Sequence, residues 1–335
     1  MKTTMEDVAR TSGVSKATVS YVLNQKCSSL GLSSQTILKV LDASRKLNYR
    51  PDLVAVALSR QKSIPLSVLI LSPWLHSQFS DFMAQVSRTL ERMSRETRMK
   101  LAYELYRENE LSRILKPARC AKYDAVFVLG SSREDNAFLK KNCGLFRNVV
   151  LLNRFVEGYP CSCSNDAESC MEMARRISGR GYYRKYVIAC GAAPTVCEEK
   201  RVAGFLGGLK KRGTDISLVR MDSALSSEKQ VMELSGRFGA EDRVLFFLPQ
   251  YHPAALLLRV LQKHGVPVPE KAGIACYDRH SLLSDFISPE LTTIDPDIGA
   301  MTRQAMELAD EIKNGRTPRS IVTKGVLIPG GSAIL

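Results

Sequence analysis

The sequence has no long hydrophobic run. Its most apolar stretches, such as residues 68–71, are short and soon interrupted by polar residues or proline, so no transmembrane span is expected. Residues 1–7 lack the apolar stretch of a secretory signal, which predicts a protein that stays in the cytoplasm. Membrane insertion and export are therefore not predicted functions.

Groups typical of catalysis are scarce. The sequence has no glycine-rich phosphate loop, because residues 204–208 fall within a predicted helix, where glycine favours close packing over nucleotide binding. The histidines stand in no recognised catalytic motif. They are His76, His252, His264 and His280. We therefore predict no enzyme activity, no catalytic residue and no cofactor.

Regularly spaced cysteines are also missing. The nine cysteines are an odd number without regular spacing in a long chain, so reduced thiols are expected rather than a disulfide framework. Cys161, Cys163 and Cys170 lie close together, but no histidine is near them and the paired spacing of a metal site is absent. No metal site is predicted.

Acidic residues are outnumbered. The chain has 48 lysines and arginines against 34 acidic residues, a formal charge of +14. Residues 1–62 hold ten basic and four acidic side chains, so +6 of that charge lies there. Such an excess favours nucleic acid or an anionic membrane, and charge alone does not choose between them. A chain of 335 residues also exceeds one ordinary hydrophobic core, which predicts two or three units.

Two short helices are predicted near the start. Thr4 and Asp7 have the spacing of a capping box, so a helix should begin at Thr4. It should end near Gly13, which is free to take the positive backbone angle of a tight turn. Ser15 then offers its hydroxyl to cap a second helix that runs through Asn24.

The two helices have the spacing of a helix-turn-helix. Ala9 is small where the helices would cross, Gly13 allows the turn, and Val19 is a branched residue inside the corner. A third helix, capped by Ser33, is predicted to run to about Leu47. Without further information, an ordinary three-helix bundle with solvated charges explains the same pattern equally well.

Several short strings of residues favour the DNA-binding alternative. In chain order they are Asp7-Val8-Ala9, Gly13-Val14-Ser15, Thr18-Val19-Ser20, Val22-Leu23-Asn24 and Leu47-Asn48-Tyr49-Arg50-Pro51. Together they resemble the DNA-binding headpiece of the LacI/GalR repressor family. The resemblance implies an all-α helix-turn-helix headpiece over residues 1–50 and a hinge helix with its linker over residues 51–63.

The resemblance also implies which residues meet DNA. The second helix would be the recognition helix, with Lys16, Ala17 and Tyr21 at the positions that usually read bases. The short polar residues around them suit phosphate or sugar contacts, which orient the headpiece without specifying sequence. The complete implied set is Thr4, Ser15, Lys16, Ala17, Thr18, Ser20, Tyr21, Asn24, Ala55 and Leu58. Residues 25–32 form a longer loop than is common in the family, so backbone contacts there are not predicted.

The hinge is a short apolar segment after Pro51. Residues 52–58 are too few to form a stable helix alone, so their order should depend on a partner helix and on DNA. In the family the leucine that matches Leu58 enters the minor groove and opens a base step. The alternative is a buried helix that packs on the next domain. Val56 stands where many relatives have a polar or basic residue, which weakens the case for a phosphate contact there.

The rest of the chain alternates apolar runs with amphipathic stretches. Helical periodicity appears between the runs, including residues 226–238, so a βαβ architecture and the α/β class are predicted. The candidate strands are residues 66–71, 100–106, 125–129, 149–153, 186–190, 244–248 and 273–276.

This larger part is similar to the sensing core of the same family and to periplasmic binding proteins. The anchors are residues 123–129, 201–205, 265–270, 277–278 and 291–294. The resemblance implies two doubly wound lobes over residues 64–335 that enclose a ligand and form a dimer. Lobe one would contain about 65–163 and 297–325, and lobe two about 164–296 and 326–335, with three crossovers between them.

Arg201 and Asp278 are the best candidates for effector binding. Arg201 aligns with the family arginine that holds effector hydroxyls or a carboxylate, and Asp278 with an acid that accepts hydroxyl hydrogen bonds. A plain salt bridge or loop cap is the alternative for each. Ser80, Trp74 and Tyr251 could line the pocket, although packing explains Trp74 as well. Tyr251 and the histidine after it replace a usual Asn-Asp pair, so the pocket has diverged.

The function predicted from these features is a cytoplasmic, nucleoid-associated transcriptional regulator, and a repressor is favoured. It would bind a pseudo-palindromic operator in double-stranded DNA as a homodimer or a higher oligomer, under the control of a sugar-like or purine-like effector. The sequence leaves two alternatives open, namely a constitutive DNA-binding regulator whose pocket has decayed and a ligand-binding protein without a DNA-binding role.

Overall fold

The chain divides into two compact units, Met1–Pro65 and Leu66–Leu335. A computed structural model describes residues 4–23, 32–47, 66–73, 77–96, 98–130, 132–192, 194–209, 215–221, 243–280 and 283–335. The predicted hinge, residues 52–58, and the predicted helix over residues 226–238 lie outside the described residues.

Three short helices build the first unit. They are α1 (Met5–Ser12), α2 (Lys16–Leu23) and α3 (Ser34–Lys46). The predicted capping box is present, because the Thr4 hydroxyl accepts a hydrogen bond from the Asp7 amide while the Asp7 carboxylate accepts one from the Thr4 amide. Gly13 ends α1 with a left-handed φ of 68°. The Ser15 hydroxyl accepts from the Thr18 amide at 3.1 Å and so caps α2.

One residue from each helix is completely buried in the small core of this unit: Val8, Val19 and Val40. Ala9 is also buried and lets α1 approach its neighbours. The local caps and the shared core therefore agree, which is the condition for a short helical unit to fold uniquely.

Two six-stranded sheets build the second unit. The elements associated with the first are β1 (Leu66–Pro73), α4 (Ser77–Glu96), β2 (Met99–Tyr106), α5 (Leu111–Ile114), α6 (Pro117–Cys120), β3 (Ala125–Val128), α7 (Arg133–Lys141), β4 (Val149–Leu152) and β5 (Cys161–Ser164). There follow α8 (Asp166–Gly179), β6 (Lys185–Gly191), α9 (Val196–Gly208), β7 (Asp215–Met221), β8 (Val244–Leu248), α10 (Tyr251–Lys263), β9 (Ala272–Tyr277), β10 (Thr292–Asp295), α11 (Ile298–Lys313), β11 (Ile321–Thr323) and β12 (Val326–Ile328).

The sheets are discontinuous in sequence. The first has the order β11-β5-β4-β3-β1-β2 and is parallel throughout, while the second has the order β12-β10-β9-β8-β6-β7 with only β12 antiparallel among its described strands. The chain therefore passes between the sheets after β5, after β10 and after β11. This is the doubly wound, two-lobed α/β fold that the sequence predicts; we refer to the sheets with their helices as lobe one and lobe two.

The apolar composition of the inner strands matches their burial. The residues of β3 and β4 are all buried, as expected for parallel strands covered by helices on both faces. Five strands were not among the predicted apolar runs, namely β5, β7, β10, β11 and β12. Four of them, β5, β10, β11 and β12, have only three or four residues, and β7 mixes apolar and polar residues without strict alternation.

Helices α8 and α9 pack with their backbones in close approach. A Cβ atom added to Gly204 would lie 2.1 Å from the Ala167 carbonyl oxygen, and one added to Gly208 would lie 2.2 Å from the Met171 carbonyl oxygen. Both distances are far below van der Waals contact. The glycines in this predicted helix therefore serve close packing, as the sequence suggests. No helix among the described residues is long and apolar enough to cross a membrane.

Replacing Gly204 or Gly208 by alanine should destabilise the second unit. The added methyl group collides with backbone atoms that cannot move aside alone, and overpacking of this kind costs about 1–3 kcal/mol. Gly207→Ala is the matched control, because its Cβ would meet only the flexible end of Met171 at 3.4 Å. That variant should be neutral or more stable by up to about 1 kcal/mol. Urea unfolding of the three variants tests this, and equal stabilities would contradict it.

Candidate functional site

The first unit presents a polar face at the start of α2. Ser15, Lys16 and Ala17 are exposed, whereas Val19 points into the core. The Ser15 and Thr18 hydroxyls lie 2.9 Å apart. The side chains that would meet DNA therefore stand on the outside of a helix whose inner side is fixed by packing.

Lys16 is held only weakly within this face. Its ammonium group lies 3.0 Å from a Glu6 carboxylate oxygen, but both side chains are more than half exposed. Exposed ion pairs contribute about 0–1 kcal/mol, so a phosphate or a base can take over the ammonium at little cost. At the start of α1, the Thr4 hydroxyl donates a hydrogen bond to the Asp7 carboxylate at 2.7 Å.

The remaining predicted DNA contacts are only partly visible. Ser20 and Tyr21 belong to α2, but their side chains lie outside the described residues. Asn24, Ala55 and Leu58 lie outside them altogether.

In the second unit, residues at and after the carboxyl ends of the strands of the two sheets contact one another, and we call the region between these strand ends the cleft. Asp81 on α4 lies 3.7 Å from the His280 ring nitrogen, and the ammonium group of Lys200 lies 5.8 Å from the centre of the Phe155 ring. Arg133 at the start of α7 pairs with Glu199 on α9. Ligands of open α/β sheets bind at such carboxyl ends, so this cleft is the candidate effector site.

Arg201 is the most heavily engaged side chain of the cleft. It is buried, and its guanidinium donates to the Pro249 carbonyl oxygen at 2.8 Å and to an Asp278 carboxylate oxygen at 2.9 Å. Its Nε atom lies 3.4 Å from an Asp166 carboxylate oxygen. The guanidinium also covers the Tyr277 ring at 3.8 Å, a cation–π contact.

Burial and charge shift the pKa values of Arg201 and Asp278. Burial lowers the pKa of Arg201, but the Asp278 and Asp166 carboxylates outweigh it and hold that pKa well above its ordinary value. Desolvation in the cleft raises the pKa of Asp278, against the lowering effect of Arg201. Arg201 thus remains a cation that holds two carboxylates in place, and the 35% exposed Asp278 side chain keeps part of its acceptor capacity for a ligand.

Two strand ends adopt a left-handed backbone at the cleft. Asn153 follows β4 with a φ of 53°, and Asp278 follows β9 with a φ of 71°. Asparagine and aspartate tolerate this conformation better than most residues, and it often marks ligand sites. The turn directs the chain after each strand across the cleft edge.

Arg154 stands beside the first of these turns and was not singled out by the sequence. It is 1% exposed, and none of its three guanidinium nitrogens has a well-aligned hydrogen-bond partner among the described residues. Burial raises the pKa of Tyr106 to about 12, while the positive charge of Arg154 lowers it, so the guanidinium lies close to that phenol. A buried cation beside a neutral phenol, with no well-aligned acceptor among the described residues, is costly, which makes Arg154 a candidate ligand contact in lobe one.

Of the remaining predicted pocket residues, only Tyr251 has its side chain among the described residues. Tyr251 begins α10 and packs into the core of lobe two, with its ring centre 6.2 Å from that of His280. Ser80 lies on α4 with its side chain outside the described residues, and Trp74 lies outside them entirely. The structure therefore brings together Arg201 and Asp278. It adds Asp166 and Arg154. Arg154 follows the predicted strand over residues 149–153, whereas Asp166 had no sequence signal because β5 was not predicted.

Two family models match the chain. Residues 4–52 match "Bacterial regulatory proteins, lacI family", and residues 175–333 match "Periplasmic binding protein-like domain". The first covers the described headpiece helices, and the second covers most of lobe two with the returning elements α11 to β12.

Similar proteins of established name cover almost the whole chain. The "HTH-type transcriptional regulator GalS" of Salmonella typhimurium is 27% identical over 91% of this chain and 88% of its own length. The "Ribose operon repressor" of Bacillus subtilis is 29% identical over 91% and 90% respectively.

A solved structure agrees with the fold. The lac repressor dimer bound to operator and an anti-inducer superposes with a TM-score of 0.69 at 18% identity, covering 100% of both chains. The matches show that residues 4–52 carry a headpiece of the lacI family of bacterial regulatory proteins and residues 175–333 a periplasmic binding protein-like domain, a combination whose similar proteins are named as transcriptional regulators and repressors rather than enzymes.

Proposed function

We propose that this protein is a repressor that binds a pseudo-palindromic operator as a homodimer and is controlled by a sugar-like ligand in the cleft. Residues 1–50 would be the headpiece, residues 51–63 the hinge, and residues 64–335 the ligand-binding and dimerising module. Lobe one would comprise about 65–163 and 297–325, and lobe two about 164–296 and 326–335. The protein would act in the cytoplasm, at the nucleoid.

Support for operator binding comes from the geometry of α2. Its inner side is locked by Val19, and its outer side offers Lys16 and Ala17 to solvent. Lysine can donate to guanine acceptors and alanine can contact a thymine methyl, so these two side chains, with Tyr21, suit a major groove. Ala55 and Leu58 stay predicted contacts of the hinge with the minor groove.

Support for ligand control comes from Arg154. The buried Arg154 guanidinium interacts with the Tyr106 hydroxyl but has no well-aligned acceptor among the described residues, so its N–H donors would bind the oxygens of a hydroxylated ligand. Asp278 across the cleft would accept from ligand hydroxyls. Arg201 then acts mainly as a positioning residue, because its own donors are directed to Pro249 and Asp278.

A sugar fits better than a purine. Stacking on a purine needs an open aromatic face, and the buried Tyr277 ring offers none because Arg201 covers it. Relatives named for the ribose and sucrose operons point the same way. Ser80, Trp74 and Tyr251 stay candidate lining residues.

Ligand binding would bias the two lobes. A ligand shifts an open–closed equilibrium only by its difference in affinity for the two states. Contacts to Arg154 in lobe one and to Asp278 in lobe two can form together only when the cleft is closed. Closure is therefore the state that the ligand favours, and in a dimer it would be transmitted to operator affinity.

Substitutions on α2 should separate base reading from DNA affinity. Lys16→Ala and Tyr21→Ala should change the preferred operator bases, because side chains that contact base edges carry the sequence information. Thr18→Ala and Ser20→Ala should mainly weaken binding to all sequences. Selection of bound duplexes from a random pool, followed by competition on half-site variants, measures both effects.

Lys39→Ala is the control for the loss of one positive charge. Lys39 is an exposed lysine on α3, so this variant should keep the wild-type base preference. Base preferences that are the same in Lys16→Ala, Tyr21→Ala and the wild type would rule out α2 as the reading helix. Footprints that ignore every metabolite would instead indicate a constitutive regulator, and no specific footprint would indicate a plain ligand-binding protein.

Arg154→Met should weaken ligand binding without unfolding the protein. Loss of hydrogen bonds from a charged group costs about 1.5–3 kcal/mol, or roughly 10–150-fold in affinity. Stability without ligand should stay equal or rise, because an unpaired buried charge is removed. Calorimetric titration with neutral sugars, sugar acids, sugar phosphates and purines, together with urea unfolding, tests this.

Two further arginines provide the comparison. Arg133→Met removes the 66% exposed partner of Glu199 at the same cleft and should change affinity little. Arg201→Met should lower the free energy of unfolding by about 3–5 kcal/mol, because it leaves the carboxylates of Asp166 and Asp278 without their cation. Unchanged affinity in Arg154→Met, with any compound that binds the wild type, would remove Arg154 from the site.

A further inference from the structure

Two cysteines on β5 have their thiols side by side. The sulfur atoms of Cys161 and Cys163 lie 3.8 Å apart, because residues two apart on a strand point to the same side. Ser162 between them points to the other side, where its hydroxyl donates to Gln304 at 3.0 Å. Cys161 is completely buried, whereas Cys163 is partly exposed. The pair therefore has one inner and one outer thiol.

The surroundings favour a thiolate. A hydrogen bond from Cys163 lowers the pKa of Cys161 against the opposing effect of burial, and the hydroxyl of Ser320 and the positive charge of Lys200 lower it further. The same hydrogen bond raises the pKa of Cys163. The hydrogen bond thus favours a thiolate on Cys161 and a protonated thiol on Cys163.

The backbone distance permits a disulfide but not a relaxed one. Residues two apart on an extended strand have Cα atoms roughly 6.6 Å apart, and disulfides span Cα distances of about 4.4–6.8 Å. A bond at the upper end of this range is strained, and strained disulfides are the ones that are easily reduced again. Among the described residues, no third metal-ligating side chain joins the pair, which favours redox chemistry over metal binding.

We propose that Cys161 and Cys163 form a reversible oxidation site, which a hydroperoxide converts to an intramolecular disulfide and a cellular thiol reduces again. The site lies outside the proposed ligand contacts. It is nevertheless on the strand that leads through Ser164 to Asp166, the carboxylate that pairs with Arg201.

The reaction balances with hydrogen peroxide as oxidant. The Cys161 sulfur, as thiolate, attacks one peroxide oxygen and the O–O bond breaks, which gives a sulfenic acid and hydroxide. The hydroxide takes the Cys163 proton and becomes water. The Cys163 thiolate then attacks the sulfenic sulfur, so that the S–S bond forms, the S–O bond breaks and hydroxide leaves. The two sulfurs lose two electrons in total, and the peroxide gains them.

The test is thiol mapping of the full-length protein after treatment with hydrogen peroxide. A glutamate-specific protease cuts after Glu157 and Glu168 and releases residues 158–168, which contain Cys161 and Cys163 but not Cys170. We expect oxidation to lower the mass of this peptide by two hydrogens and to make it resist alkylation. Reduction with glutathione or dithiothreitol should reverse both changes.

Variants identify the pair. Cys161→Ser and Cys163→Ser should each abolish the internal disulfide, whereas Cys143→Ser, which removes an exposed thiol elsewhere in lobe one, should leave it unchanged. If a variant folds poorly, the mapping of the wild-type peptide alone still shows whether the internal disulfide forms.

Two results would overturn the proposal. One is a peptide in which both cysteines remain free to react with alkylating reagent after peroxide has oxidised Cys143. The other is a disulfide that joins Cys163 to Cys197, the thiol on α9 whose sulfur lies 3.6 Å from the Asn153 carbonyl oxygen.

Discussion

The cleft depends on one buried guanidinium, that of Arg201, held between two carboxylates. Asp166 is the first residue of α8, the first helix after the chain has left lobe one, and Asp278 follows strand β9 of lobe two. Because Arg201 contacts both carboxylates, it fixes the crossover and the end of β9 relative to each other. Removing the cation would leave like charges facing each other in a poorly hydrated place. The close packing of α8 on α9, made possible by Gly204 and Gly208, keeps both helices in the register that this contact requires.

The contacts that join the lobes across the cleft are of a different kind. Arg133 and Glu199 form an exposed pair at the cleft edge, and exposed pairs contribute about 0–1 kcal/mol. His280 and Asp81 are more buried, but their nearest atoms lie 3.7 Å apart, longer than a hydrogen bond. Such contacts can break and form again without disturbing either core. A rigid cluster inside lobe two, with weak contacts between the lobes, allows a ligand with modest differential affinity to shift the balance between open and closed states.

The local features of the headpiece could be predicted from sequence, because each depends on residues only three apart. Thr4 with Asp7, and Ser15 with Thr18, form the expected caps. The α/β class followed from apolar runs, and Arg201 with Asp278 from resemblance. Strand β5 could not be predicted, since its residues are cysteine and serine and its strand state comes from pairing with β4 and β11. Arg154 looks like any surface arginine in the sequence, and only the fold places the ends of other strands around it.

The return of the chain to the first sheet has a consequence for biosynthesis. Helix α11 and strand β11, near the carboxyl terminus, complete a sheet whose other five strands are made before residue 165. Because domains emerge from the ribosome amino terminus first, the headpiece can fold early, whereas lobe one must wait with an open flank until nearly the whole polypeptide has been synthesised. Lobe two is encoded later, but when synthesis reaches α11 it lacks only the short antiparallel strand β12. A ribosome that stalls before α11 would thus release a chain with a finished headpiece and an unfinished lobe one.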